Sequence, residues 1–143
     1  MQKLNIGCGQ DKLEGWINAD SREGCNPDEI VRLGFRLPYP DDHFVEVKAF
    51  NVLTQVNDIV TAMNELWRVT KGFITIRVPD AADICAFQDP MDFRHFTDQS
   101  FTYMELGHRR YEQYGEHYGF KPFKVELLES NGRQLLFRLW PVK

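Results

Sequence analysis

Apolar residues fall in short runs broken at turn-forming residues, and their spacing shifts along the chain from strand-like to helix-like. Leu4 and Ile6 flank Asn5 and predict a first strand over 4–6, stopped by Gly7 and Gly9. Residues 16–19 predict a second strand, ended by Asp20. Only residues 10–15 separate the two, too few for the crossover helix of about a dozen residues that joins parallel strands, so the first helix is expected to shrink to a turn or two. A short third strand over 30–33, a proline-stiffened loop over 37–42 and a fourth strand over 44–50 follow. Val56, Ile59, Val60, Met63, Leu66 and Trp67 then recur at helical spacing and predict an amphipathic helix that Gly72 ends. Residues 73–78 read as the next strand, with Pro79 as its stop. Strand, helix, strand in this order predicts an α/β domain with a mostly parallel sheet, reduced in helices near the N-terminus.

The segment 79–119 is less regular and dense in aromatic residues, from Phe87 to Tyr118. A helix is expected to start near Thr97 or Asp98, either of which can cap it. Such a segment suits a substrate-side lid within the domain, and equally a subunit interface, as in a homodimer, or a cover on one sheet face. Residues 123–128 and 133–140 read as two strands around Asn131-Gly132, a strong hairpin signal, so the domain is expected to close with an antiparallel pair, one member joining the edge of the sheet.

Length and composition narrow the picture. The 143 residues predict one domain over 1–143. With 17 basic and 21 acidic residues the formal charge is −4, which gives no clear nucleic-acid signal; Arg94, Arg109 and Arg110 read as a solvated surface. Cys8, Cys25 and Cys85 are odd in number and widely spaced, which predicts a reducing compartment and no disulfide framework. Neither they nor the four histidines show metal-ligand spacing. No apolar run is long enough to span a membrane, so the chain reads as soluble and cytoplasmic.

The chemistry gathers at the start. Gly7-Cys8-Gly9 forms a turn directly after a strand, and Asp20 lies eleven residues past the second glycine. That arrangement can hold a nucleoside-bearing cofactor at the carboxyl ends of parallel strands, and the two glycines also read as an ordinary strand-ending turn. Together with Gly15-Trp16-Ile17-Asn18-Ala19-Asp20, with Leu37-Pro38-Tyr39-Pro40-Asp41-Asp42-His43-Phe44, with Glu65-Leu66-Trp67-Arg68-Val69 and with Asp89-Pro90 followed by Arg94, Phe96, Thr97, Ser100 and Phe101, it resembles the class I methyltransferases that use S-adenosylmethionine, in particular the small branch called methyltransferase type 11. The resemblance runs from about residue 3 to 140 and implies the Rossmann-like fold of that family, S-adenosylmethionine as cofactor and methyl transfer by in-line displacement to an acceptor, with a small molecule as the expected substrate.

On that resemblance Gly7, Cys8, Gly9, Asp20, Leu33 and Asn51 are the candidate cofactor-binding residues, with Asp20 toward the ribose hydroxyls and Asn51 toward the methionine part or the acceptor. Asp20 also reads as a cap for the turn at 21–24, and Asn51 as a turn cap. Cys8 reads as a small packed residue, since no activating base lies near it in sequence. Asp80, at the end of the fifth strand, and Asp92 and His95, in the lid, are the candidate general bases. Glu65 and Arg68, three apart on a helix, predict a surface pair worth about 0.2–0.5 kcal/mol.

The chain departs from the family pattern at several places. Arg32 and Leu33 stand where an acid near the adenine is usual, and Thr54-Gln55 replaces Glu-His after the fourth strand. Val45 stands where an aspartate is common, Thr70-Lys71-Gly72 replaces Pro-Gly-Gly, and Asp92 replaces a histidine. These departures define the alternative function, a catalytically inactive methyltransferase fold that serves as a binding or regulatory protein. A nicotinamide-dependent dehydrogenase is a distant third, because Lys12 occupies the last position of a Gly-x-Gly-x-x-Gly fingerprint.

Overall fold

The computed structural model describes residues 2–143. Seven strands form one sheet: β1 (Gln2–Ile6), β2 (Ile17–Asp20), β3 (Glu29–Ile30), β4 (Phe44–Phe50), β5 (Thr70–Pro79), β6 (Phe123–Ser130) and β7 (Gln134–Pro141). Their order is β3-β2-β1-β4-β5-β7-β6. The first five run parallel, and β7 inserts antiparallel between β5 and β6. The reversal before β7 sits where the sequence placed it: Gly132 has φ +83, and the Asn131 Oδ1 accepts from the backbone N–H groups of Arg133 and Gln134. The expected α/β architecture, a mostly parallel sheet closed by an antiparallel hairpin, is the one observed.

Helix α1 (Ile59–Val69) is the longest helix among the described residues; a second helical stretch runs over 109–118 and is π-helical over Tyr111–Gly115. The Asp58 carboxylate caps it by accepting from Thr61 N at 2.9 Å. Its Ala62, Met63, Leu66 and Val69 are fully buried against Val47, Ile74, Ile76 and Phe137 of the sheet. Burying side chains of this size is worth about 1.5–3 kcal/mol each, so this seam supplies much of the core.

Three boundaries and one side-chain pairing differ from expectation. β3 keeps two residues, because Leu33 leaves the sheet to bridge Phe35. Helix α1 ends at Val69 and runs straight into β5, so Gly72 does not stop it. Instead Gly72 lies inside β5, where a Cβ would come within 2.0 Å of the Val45 carbonyl oxygen. No α-helix starts at Thr97 or Asp98. Thr97 N donates to the Ser100 hydroxyl and Gln99 N to the Thr97 hydroxyl, and these local bonds lead into a 3-10 turn over Ser100–Met104. Glu65 and Arg68 make more than a surface pair. The nearly buried Glu65 accepts from Leu37 N at 2.7 Å and from Arg68 Nη2 at 2.7 Å, while Arg68 donates to the carbonyls of Leu37 and Tyr39. The two residues fasten the proline-rich loop to α1.

The two sheet faces are unlike. One packs on α1 and on the 101–123 segment. Along β4 and β5 the opposite face alternates to Glu46, Lys48 and Phe50, then Phe73, Thr75 and Arg77, and no helix lies on it among the described residues. Long basic side chains lie over aromatic rings there, as with Arg77 at 4.4 Å from the Phe50 centroid, so their stems shield the apolar surface that crossover helices normally cover. Among the described residues no helix is long and apolar enough to cross a membrane.

Candidate functional site

The short connection between β1 and β2 holds its shape through two asparagines in the strands themselves. Asn5 Nδ2 donates to Asp11 O at 2.8 Å and to Asn18 Oδ1 at 3.0 Å. Asn18 Oδ1 accepts from Leu13 N, and Asn18 Nδ2 donates to Leu13 O and to the Asp28 carboxylate. The amides do the work of a missing crossover helix by saturating the loop's backbone. They are nearly buried, at 6% and 5% exposure. Polar amides at interior strand positions are the signal in the sequence, and which backbone groups they pair with is set only by the turn.

This network aims Gly7-Cys8-Gly9 at the carboxyl edge of the sheet. Gly7 N and Cys8 N both donate to Ala19 O. Gly7 has φ +70, and a Cβ there would meet Val52 Cβ at 2.6 Å. Gly9 has φ +52, and its Cβ direction holds only Arg22 Nη2, at 3.4 Å. The two glycines therefore differ: Gly7 makes room for a side chain of this chain, whereas Gly9 faces open space rimmed by an exposed arginine.

Asp20 sits at the end of β2, 5% exposed. Its Oδ2 accepts from Gly9 N at 2.8 Å, and its Oδ1 accepts from Arg22 N at 2.9 Å and from Arg22 Nε at 3.4 Å. Burial pushes this carboxyl up, but the N–H donors of Arg22 and Gly9 and the Arg22 guanidinium outweigh that and hold it below the usual carboxylate range. It is thus an ionised acceptor at neutral pH. Oδ2 carries one hydrogen bond and has room for a second. The Arg22 side chain is 70% exposed, so its 3.4 Å contact is easily exchanged.

Two adjoining crevices meet at Gly7, Arg22 and Asn51. One, of about 170 Å³, is bordered by Asp20, Val31, Leu33 and Val52. The other, of about 450 Å³, is bordered by Cys8, Gly9, Lys48, Phe50 and Arg77. All six candidate cofactor residues therefore lie on these two walls. Asn51 follows β4 with φ +55, its N–H donating to Arg77 O. Cys8 is 4% exposed, and burial followed by the Asp20 charge raises its thiol pKa, which leaves no reactive thiolate.

The three candidate bases do not share this place. Asp80 is buried at 8% exposure, accepts from Ala82 N and borders none of these crevices. Asp92 accepts from the Thr54 hydroxyl at 2.8 Å and from Gln55 Nε2 at 2.9 Å. His95 stacks on Phe87 with ring centroids 3.9 Å apart and borders a separate cavity of about 440 Å³, walled by Phe93, Phe96, Phe101, Tyr103, Tyr118 and Phe120. A fourth hollow of about 360 Å³ shares Leu33, Val52 and Gln55 with the Asp20 crevice and Phe93 with the aromatic cavity, so it bridges the two.

Comparison with known proteins fits this geometry. No protein-family model matches the chain. An uncharacterized methyltransferase of Schizosaccharomyces pombe is 37% identical over 68 residues, a match that covers 45% of this chain and 24% of that protein, so the chain spans about a quarter of that relative's length. A SAM-dependent methyltransferase of Thermotoga maritima superposes with a TM-score of 0.67 at 17% identity, over 99% of this chain and 82% of the other. A SAM-dependent methyltransferase of Aquifex aeolicus gives 0.66 at 13% identity, over 99% and 82%. A Haloferax volcanii methyltransferase, solved with the Trm112 activator, gives 0.64 at 11%, over 99% and 83%. The chain has the class I, Rossmann-like fold of the SAM-dependent methyltransferases.

Proposed function

We propose that the paired crevices bind S-adenosylmethionine and that the protein transfers its methyl group to a small-molecule acceptor. The observation that carries this reading is the ionised Asp20, clamped to Gly9 with acceptor capacity to spare, at the junction of β1, β2 and β4. The residues fit the cofactor. Asp20 Oδ2 can accept from a ribose hydroxyl, and Leu33 and Val31 offer an apolar wall for adenine. Asn51, Lys48 and Arg77 border the side where a methionine carboxylate would find cations.

The bound cofactor would supply an electrophilic methyl group on a sulfonium. What the chain contributes is alignment and exclusion of water. Segment 79–119 is the proposed lid: its bonds from Asp92 to Thr54 and Gln55, and from Arg94 to the carbonyls of Val56 and Asn57, tie it to the loop after β4. Of the three candidate bases, His95 is the one on a cavity wall, and it is the proposed proton acceptor for an acceptor seated among the aromatic rings. Asp80 and Asp92 are proposed as positioning groups, since the Oδ1 of each already accepts from the chain's own donors.

Calorimetric titration with S-adenosylmethionine tests the reading. Saturable micromolar binding is expected, and its absence up to millimolar ligand overturns it. The second reading, a fold kept for binding alone, is favoured by Arg22 lying against Asp20 and by Val52 beneath Gly7. It requires that Arg22→Ala leaves cofactor binding as absent as before.

A further inference from the structure

The sheet face opposite α1 sets cations between aromatic rings in register. Phe73 lies beside Trp140, with centroids 6.5 Å apart, and Trp140 is opposite Lys124. In the next row Lys48 pairs with Thr75, and Thr75 with Arg138. Toward the glycine loop Phe50 pairs with Arg77. Each ring carries a cation: Arg77 over Phe50 at 4.4 Å, Arg138 over Phe73 at 4.6 Å and Lys124 over Trp140 at 5.2 Å. Lys48 lies between Phe50, at 5.2 Å, and Trp16, at 5.4 Å.

These cations lack anionic partners. Among the described residues, Lys48, Arg77, Lys124 and Arg138 form no ion pair, while Glu46 on the same face is paired with Lys3. The other carboxylates on this face are on the outer strand β6: Glu126, the register partner of Arg138, and Glu129, opposite Leu136; neither forms an ion pair. The Nε atoms of Arg77 and Arg138 are buried without any acceptor. A chain of net charge −4 thus concentrates unpaired positive charge on its one helix-free face.

The pattern selects among occupants. A second copy would lay Lys48, Arg77 and Arg138 against their own equivalents or near them, at a Coulombic cost. A protein partner's footprint is enriched in aromatic residues and Arg but depleted of Lys, whereas here Lys48 sits between Phe50 and Trp16 and Lys124 lies over Trp140. Rings that alternate with cations on an open sheet are instead what stacks bases and holds phosphates.

We propose that this face binds a single-stranded nucleic acid. Bases would stack on Phe50, Phe73 and Trp140. The displaced cations would swing from ring to phosphate, giving the orphaned Arg77 and Arg138 Nε groups an acceptor. Because Lys48, Phe50 and Arg77 also border the larger crevice, the strand would run up to the glycine loop. Lys48 and Arg77 are shared with the proposed carboxylate end of the cofactor crevice, while Phe73, Trp140, Lys124 and Arg138 lie outside it and carry the part of the surface that does not depend on cofactor binding.

The test is fluorescence anisotropy of a labelled 12-mer oligouridylate with the full chain and no S-adenosylmethionine. Binding is expected, and with four cations neutralising phosphates its log–log salt slope is about −3. Arg138→Gln should flatten that slope by about 0.7. Trp140→Leu should weaken binding about tenfold or more, the range of one lost stacking contact. Should Trp140→Leu melt early, quenching of tryptophan fluorescence by the oligonucleotide reports the stacking in the unaltered protein. Three results overturn the proposal: no binding at low salt, poly-glutamate bound as tightly as the oligonucleotide at equal salt (an acidic protein surface), or a sedimenting dimer that Arg138→Gln dissociates (a second copy). Failure here with intact calorimetric cofactor binding leaves the proposed function standing, and the reverse pattern leaves this surface standing.

Discussion

The Thr54 hydroxyl donates a 2.8 Å hydrogen bond to the Asp92 carboxylate, and Gln55 Nε2 donates to the same oxygen. All three residues stand at positions where the chain departs from the methyltransferase type 11 pattern, and they meet one another. Donors on the loop after β4 face an acceptor on segment 79–119, so the departures form a matched polar set. If Asp92 only positions the lid, Asp92→Asn keeps an acceptor and should retain activity within about threefold, far from the 100-fold or greater loss expected of a general base. Asp92→Ala should open the segment to limited proteolysis. Methyl-transfer rates on an identified acceptor, with proteolysis time courses, check both.

Asp20 joins the two crevices, and Asp20→Asn should separate its duties. The amide oxygen can still accept from Gly9 N, but its NH2 then faces the Arg22 N–H donors and the charge that strengthens a bond to a ribose hydroxyl is gone, so affinity for S-adenosylmethionine should fall about tenfold or more. Asp20→Ala should cost more, because Gly9 N then also loses its partner. Calorimetry reads both.

Gly7 and Gly9 should respond differently to alanine. At Gly7 the new Cβ would press on Val52 within 2.7 Å of two of its carbons, and its φ is +70. Gly7→Ala should destabilise by about 2–4 kcal/mol, the sum of overpacking and left-handed strain. Adding Val52→Ala should return part of that. At Gly9 only the left-handed backbone and the Arg22 tip oppose the methyl, so Gly9→Ala should cost about 1 kcal/mol. Denaturant midpoints of the three variants check the order.

The Glu65–Arg68 clasp makes stability fall in acid. Burial pushes the Glu65 carboxyl up, but the Arg68 guanidinium and Leu37 N outweigh it and hold the carboxyl below the ordinary 4.5. Below pH 4.5 the unfolded chain therefore binds the proton more readily than the folded one. The contribution of Glu65 is present in full above that value and is lost as pH falls through its folded pKa. Glu65→Gln should be less stable at neutral pH and show a shallower loss of stability as pH falls below 4.5. Urea titrations across that range decide it.

The sequence by itself determined the order of strands, the amphipathic α1, the Asn131-Gly132 hairpin and the glycine turn with its carboxylate, because each is written in residues close along the chain. Periodicity, a turn-forming pair and a strand-ending acid need no distant partner to be legible. The tertiary structure alone decided what those pieces touch. Gly72 stays inside a strand because of the Val45 carbonyl, Gly7 is required by Val52, and Glu65 reaches back 28 residues to Leu37. Likewise the gathering of Lys48, Arg77 and Arg138 on one helix-free face is invisible in a chain of net negative charge, since only sheet register brings residues dozens of positions apart into adjacent rows. Contacts across the sheet are set by packing and pairing geometry, and no local pattern encodes which distant side chain will fill the space.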